Sequence, residues 1–112
     1  MTDPFFDAQT TPWTELGDGI RRKIVGHTPV LMSVLVHFDA GAVGTPHAHE
    51  AHDQIAYCLS GAFEAEVDGV KRLLRPGDAF IARRGMTHGV VALQADSQLL
   101  DQFSPPRDDY LA

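Results

Sequence analysis

The sequence has a single cysteine, Cys58, among 112 residues, so no intrachain disulfide can form, which agrees with a reducing compartment. Its place in the apolar run IAYCLS predicts a buried structural thiol rather than a nucleophile. Basic charge is also scarce. The formal net charge is −6, and no run of Lys or Arg is longer than Arg21, Arg22, Lys23. That leaves no footprint for a phosphate backbone, and no nucleic-acid partner is expected. Long apolar stretches are missing, so no membrane partner is expected either. The opening MTDPFFDAQT is acidic and contains proline, unlike a signal peptide, which makes a cytoplasmic location the expectation. Helical periodicity is missing too: no stretch of about ten residues keeps a 3.6-residue apolar period without Gly or Pro interrupting it, and no repeat or low-complexity tract is present.

Short strands recur instead. The length fits one domain, and 44% hydrophobic with 21% charged residues is the composition of a folded chain. Residues Ile20–Val25 and Val30–Phe38 are β-branched-rich and bounded by Gly or Pro, and Gln54–Ser60 reads the same way. From Ala62 to Val67, Phe63, Ala65 and Val67 alternate with Glu64 and Glu66, the pattern of a strand with one wet face. Asp68-Gly69 joins it to Val70–Leu74, a pairing that predicts a type I′ hairpin. A turn at Arg75-Pro76-Gly77-Asp78 leads to strands at Ala79–Arg83, His88–Leu93 and Gln98–Phe103. About eight short strands imply an all-β sandwich or barrel spanning residues 20–103, with residues 1–19 as an N-terminal arm and 104–112 as a C-terminal tail, both with little structure of their own.

Three of the six histidines fall in the stretch HAHEAH. On extended backbone His47 and His49 share a face, where two imidazoles can begin a metal site. Taken alone, such a pair is equally well explained as part of a polar loop. Glycines and polar residues around it form two spaced blocks. Gly41, His47, His49, Gln54 and Gly61 make the first, and Gly77, Gly85 and His88 the second.

These blocks resemble the two motifs of the cupin superfamily, G-x5-H-x-H-x4-E-x6-G and G-x5-P-x-G-x2-H-x3-N. Gln54 stands where the family usually has Glu, Arg83 replaces the proline and Ala92 the asparagine. The resemblance implies a single-domain cupin fold, a double-stranded β-helix or jelly-roll barrel. It also implies one divalent ion (Ni, Zn, Mn, Fe or Co) held inside by His47, His49, Gln54 and His88. A glutamine ligand would coordinate without lowering the ion's charge, giving a stronger Lewis acid more weakly held. Alternation turns Asp53 away from Gln54. His52 could back the metal ligands but is expected to be a solvated loop residue, and His27 and His37 structural or exposed.

The ending DQFSPPRDDYLA reads most simply as a last strand stopped by Pro105-Pro106. Still, Asp101 and Phe103 share a face, and a stiff proline pair can aim Arg107 back at the barrel mouth. The pattern D-x-F-x-P-x-R-x-D, with GDGIRRKIVG near the start and the Gln54 variant, resembles the KdgF family of small cupins. That resemblance implies metal-dependent opening of 4,5-unsaturated uronates from pectin or alginate to linear 5-keto-4-deoxyuronate. Asp101, Arg107 and Gln54 would then be functional, with Phe103 lining the pocket. The partner would be a small anionic sugar, and the assembly a homodimer with N-terminal residues adding to the partner's sheet. Asp101 suits a proton carrier and Arg107 a carboxylate clamp. Two other readings stand beside this one. A cupin dioxygenase would take up oxygen with iron, and a sugar-binding or sensory module would be indifferent to Asp101→Asn.

Overall fold

The computed structural model describes residues 3–111. Ten strands and one helical turn follow in order: β1 (Thr14–Gly17), β2 (Ile20–His27), β3 (Met32–Phe38), β4 (Val43–His47), β5 (Asp53–Ser60), β6 (Phe63–Val67), β7 (Val70–Leu74), β8 (Ala79–Ala82), β9 (His88–Ala92), β10 (Ser97–Ser104) and α1 (Asp108–Leu111). They form a six-stranded sheet, β1-β2-β3-β10-β5-β8, and a four-stranded sheet, β4-β9-β6-β7. All pairings are antiparallel. No helix among the described residues is long and apolar enough to cross a membrane.

All eight expected strands are present, most with ends moved by one or two residues. At the β6–β7 turn both Asp68 (φ 50) and Gly69 (φ 81) take positive φ, the requirement of a type I′ hairpin. Residues 3–19, the described part of the expected arm, are not featureless. Asp18 (φ 53) and Gly19 (φ 81) repeat the same Asp-Gly turn, which folds β1 back onto β2. Strand β4, Val43–His47, escaped the pattern because Gly44 and Pro46 interrupt it. It is an edge strand, where a proline costs no ladder hydrogen bond. The tail departs from expectation as well, closing with α1, too short for any apolar period to register.

Inward positions along the strands meet between the sheets. Met32, Val34, Val36 and Phe38 of β3, Ala56 and Cys58 of β5, Phe63 and Ala65 of β6, Val90 and Ala92 of β9, and Leu99 and Phe103 of β10 form one buried cluster. Phe38 and Phe63 meet edge to face at 5.1 Å. Cys58 is free and buried there, and burial raises its thiol pKa, consistent with a packing role. Several of these core residues are alanines, and the small side chains leave room between the sheets. At one end the inward residues turn polar: Gln54 on β5, His88 on β9 and Asp101 on β10 all lie where an apolar side chain would continue the core. Polar groups at such positions need partners.

Candidate metal centre and pocket

Strand β4 delivers His47, the loop after it His49, and β9 His88, directly opposite His47 in the ladder. The three histidines place one ring nitrogen each within 4.8 Å of one another. His47 Nδ1 lies 2.8 Å from the Thr45 carbonyl and His88 Nδ1 3.1 Å from that of Met86. Each Nδ1–H therefore donates to backbone, which leaves Nε2 as a bare lone pair. His47 Nε2 is 3.1 Å from His49 Nε2. That closeness of two bare nitrogens suits lone pairs that would turn toward one shared ion. Burial pushes the His49 pKa down to about 4, helped by the charges of Arg107, His47, His52 and His88. Burial lowers His88 as well, against its bond to Met86. Both shifts, at His49 and His88, favour the neutral imidazole, the form that ligates.

Two more atoms point to a missing partner. His88 Nε2 and Gln54 Oε1 are buried with no hydrogen bond. A cation among His47, His49, His88 and Gln54 would satisfy both, so the donor set fits a divalent ion. Among the described residues the cluster contains no carboxylate. Glu50 is exposed, and Asp53 turns outward to accept the Arg84 amide at 3.0 Å. An ion held by this set keeps its full charge.

Beside the histidines lies a pocket lined on its polar side by Gln54, Asp101, Arg107, Tyr110 and Arg22, with Phe103 and Phe80 among its apolar walls. Burial pushes the Asp101 pKa up to about 7, against the smaller opposing pulls of the Gln54 amide and the Arg107 guanidinium. Arg107 is mostly buried. Its Nε and Nη2 donate to Asp109 at 3.3 and 2.9 Å, and its Nη1 to the Tyr110 hydroxyl at 2.6 Å.

His52 is not a solvated loop residue as expected. It is buried, with its ring 4.4 Å from that of His49 and 5.3 Å from Phe103. A six-residue polar stretch gives no sign of this, because the burial comes from the C-terminal strand. His37 is a structural histidine, buried and 3.0 Å from Asp96, whereas His27 is exposed. Tyr110 and Arg22 were missed as pocket residues. Arg22 lies in a basic triplet whose alternation alone could have shown that it faces opposite to Arg21 and Lys23.

The cupin domain family matches residues 34–100, which contain all four expected metal ligands. The chain belongs to the cupin family. Within that family it is 53% identical over 107 residues to the pectin degradation protein KdgF of Dickeya dadantii (strain 3937), covering 96% of this chain and 97% of that one. The solved structure of KdgF from a Halomonas species superposes with a TM-score of 0.95 at 57% identity, covering 97% of this chain and 99% of the other. An RmlC-like cupin from Shewanella frigidimarina NCIMB 400 follows at TM-score 0.92 and 37% identity, over 97% and 96% of the two chains. Among cupins, then, this chain is of the KdgF kind. Its two sheets form a single-domain cupin fold, with the three histidines placed to hold a metal ion.

Proposed function

We propose that this cupin opens 4,5-unsaturated uronates, released by pectate or alginate lyases, to linear 5-keto-4-deoxyuronate. The observation that carries the reading is Asp101, a buried carboxyl poised near pH 7 in a pocket that also presents Gln54, Arg107, His47 and His88. The similarity to two proteins named KdgF, one of them described as a pectin degradation protein, supports the substrate class.

The reaction is redox-neutral. Asp101 as carboxylate takes the proton of the anomeric hydroxyl, the C1–O bond to the ring oxygen breaks, and C1 becomes an aldehyde. The electron pair leaves with the ring oxygen, generating an enolate at C5 whose double bond to C4 already exists in the substrate. Asp101, now protonated, returns its proton to C4 and the C5 ketone forms. A group with a pKa near the working pH serves in both directions. Arg107 orients the substrate carboxylate through its planar fork, a geometry the Asp109 carboxylate already takes against it. Phe103 walls the pocket. When bound, a divalent ion at His47, His49, Gln54 and His88 supplies Lewis acidity toward the sugar oxygens.

Net charge −6 would repel an anionic sugar, so local positive charge must offset it. Arg107 provides it within the pocket, together with the divalent ion when one is bound. The test is to add the purified protein to lyase-generated unsaturated uronate and follow the double bond's ultraviolet absorbance. Accelerated loss, slowed severely by Arg107→Ala, is the expected result. No acceleration over the spontaneous rate would sink the assignment.

A homodimer belongs to the same proposal. The outer face of β5 carries Ile55, Tyr57 and Leu59, and Ile81 of β8 pairs beside Ile55; all four are exposed. A contiguous apolar face of this kind suits a second copy of the chain. A cytoplasmic location remains part of the proposal, on the sequence grounds given above.

A further inference from the structure

Helix α1 has four residues and none of them is fully buried, so it has little to hold it in place by itself. Yet it carries Tyr110, and Tyr110 in turn holds Arg107 through the 2.6 Å bond from Nη1 to its hydroxyl. What holds Tyr110 comes from the other end of the chain. The Arg22 guanidinium lies 3.7 Å from the centroid of the Tyr110 ring, and that of Arg107 lies 4.0 Å from the same centroid. Both guanidinium groups therefore lie against the one ring, with that of Arg107 also bonded to its hydroxyl.

Arg22 sits on the inward face of β2, paired with core residue Val36 in the ladder, while its neighbours Arg21 and Lys23 reach outward to Trp13. Among the described residues it has no carboxylate within salt-bridge distance and no hydrogen bond. An arginine pointing inward without a counter-ion is costly unless something else uses its charge. Here the face of an aromatic ring does. The Tyr110 ring packs in turn against the core and meets Phe103 edge to face at 6.0 Å.

We propose that Arg22 and Tyr110 are positioning residues: Arg22, fixed on a rigid strand, latches the Tyr110 ring, and the latched tyrosine sets the place of the Arg107 fork in the pocket. This rests on the uronate reading only for its kinetic consequence. The latch itself joins the segment GDGIRRKIVG near one end of the chain to PPRDDYL at the other.

Arg22→Met separates the possibilities. With unsaturated uronate, KM should rise roughly tenfold, and Arg22→Lys should recover part of that loss by restoring the cation without the planar stack. Because Arg22 acts through Arg107, the double variant Arg22→Met/Arg107→Ala should be no worse than Arg107→Ala alone. Effects that multiply would mean Arg22 touches substrate itself, and would overturn the proposal. A readout that needs no substrate is hydrogen exchange across residues 105–111. It should quicken in Arg22→Met and in Tyr110→Leu, with exchange in β3, β5 and β10 unchanged. If exchange in the tail does not change, the latch is refuted. If the tail loosens but the wild-type protein has no activity on the uronate, the latch stands and the substrate assignment fails.

Discussion

Asp101 is governed by two opposing influences, and burial is the larger. A carboxyl that would ionise near pH 3.8 in water keeps its proton up to about 7 here, because the gains from Gln54 and Arg107 do not repay the loss of hydration. This makes the stability of the fold depend on pH. Between about pH 4 and 7 the folded protein holds a proton that the unfolded chain has released, so stability falls as pH rises through that window. Asp101→Asn removes the effect. In metal-free protein the variant should melt with the wild type near pH 4 and be more stable at pH 7 to 8, by an amount on the order of a few kcal/mol. The same substitution should slow ring opening by roughly 10²- to 10⁴-fold, so stability and activity move in opposite directions. Gln54 makes a second case. Gln54→Glu adds the carboxylate that the histidine cluster lacks. It should tighten metal binding at least about tenfold in a chelator competition while lowering turnover, because one negative charge reduces the ion's pull on the sugar oxygens.

Strands β4 and β9 act as a unit, and the spacing of the metal ligands depends on how closely they approach. Gly89 follows His88, and a side chain there would place its Cβ 2.9 Å from the Gly44 carbonyl and from Pro46. That is closer than contact allows, so Gly89→Ala should push β4 away from β9 and carry His47 off His88. The expected outcome is a folded protein, by circular dichroism, whose metal content after dialysis falls well below that of the wild type. Element by element, the strands with alternating or β-branched patterns were legible because period-2 burial is written locally. Strand β4 was not, since it owes its existence to pairing with β9 rather than to its own residues Gly44 and Pro46. Strand β1 was within reach, because Asp18-Gly19 carries the same turn chemistry as Asp68-Gly69.

Across the whole molecule, the apolar outer face of β5 and β8 predicts association. Ile81→Lys, which puts a charge on the most exposed of the four residues, should turn a dimer into a monomer in light scattering while leaving the barrel's melting cooperative. An unchanged mass would remove the dimer from the proposal. By itself the sequence determined the all-β class, the two histidine blocks and the pattern of the tail, because alternation, turn chemistry and motif spacing act over a few residues. The tertiary structure alone decided the rest. It brought His88 opposite His47 across a strand pair, buried His52 behind His49, raised Asp101 to about 7 and set Arg22 against Tyr110. Burial and contact between distant segments depend on how the sheets close over one another, and no local pattern encodes that.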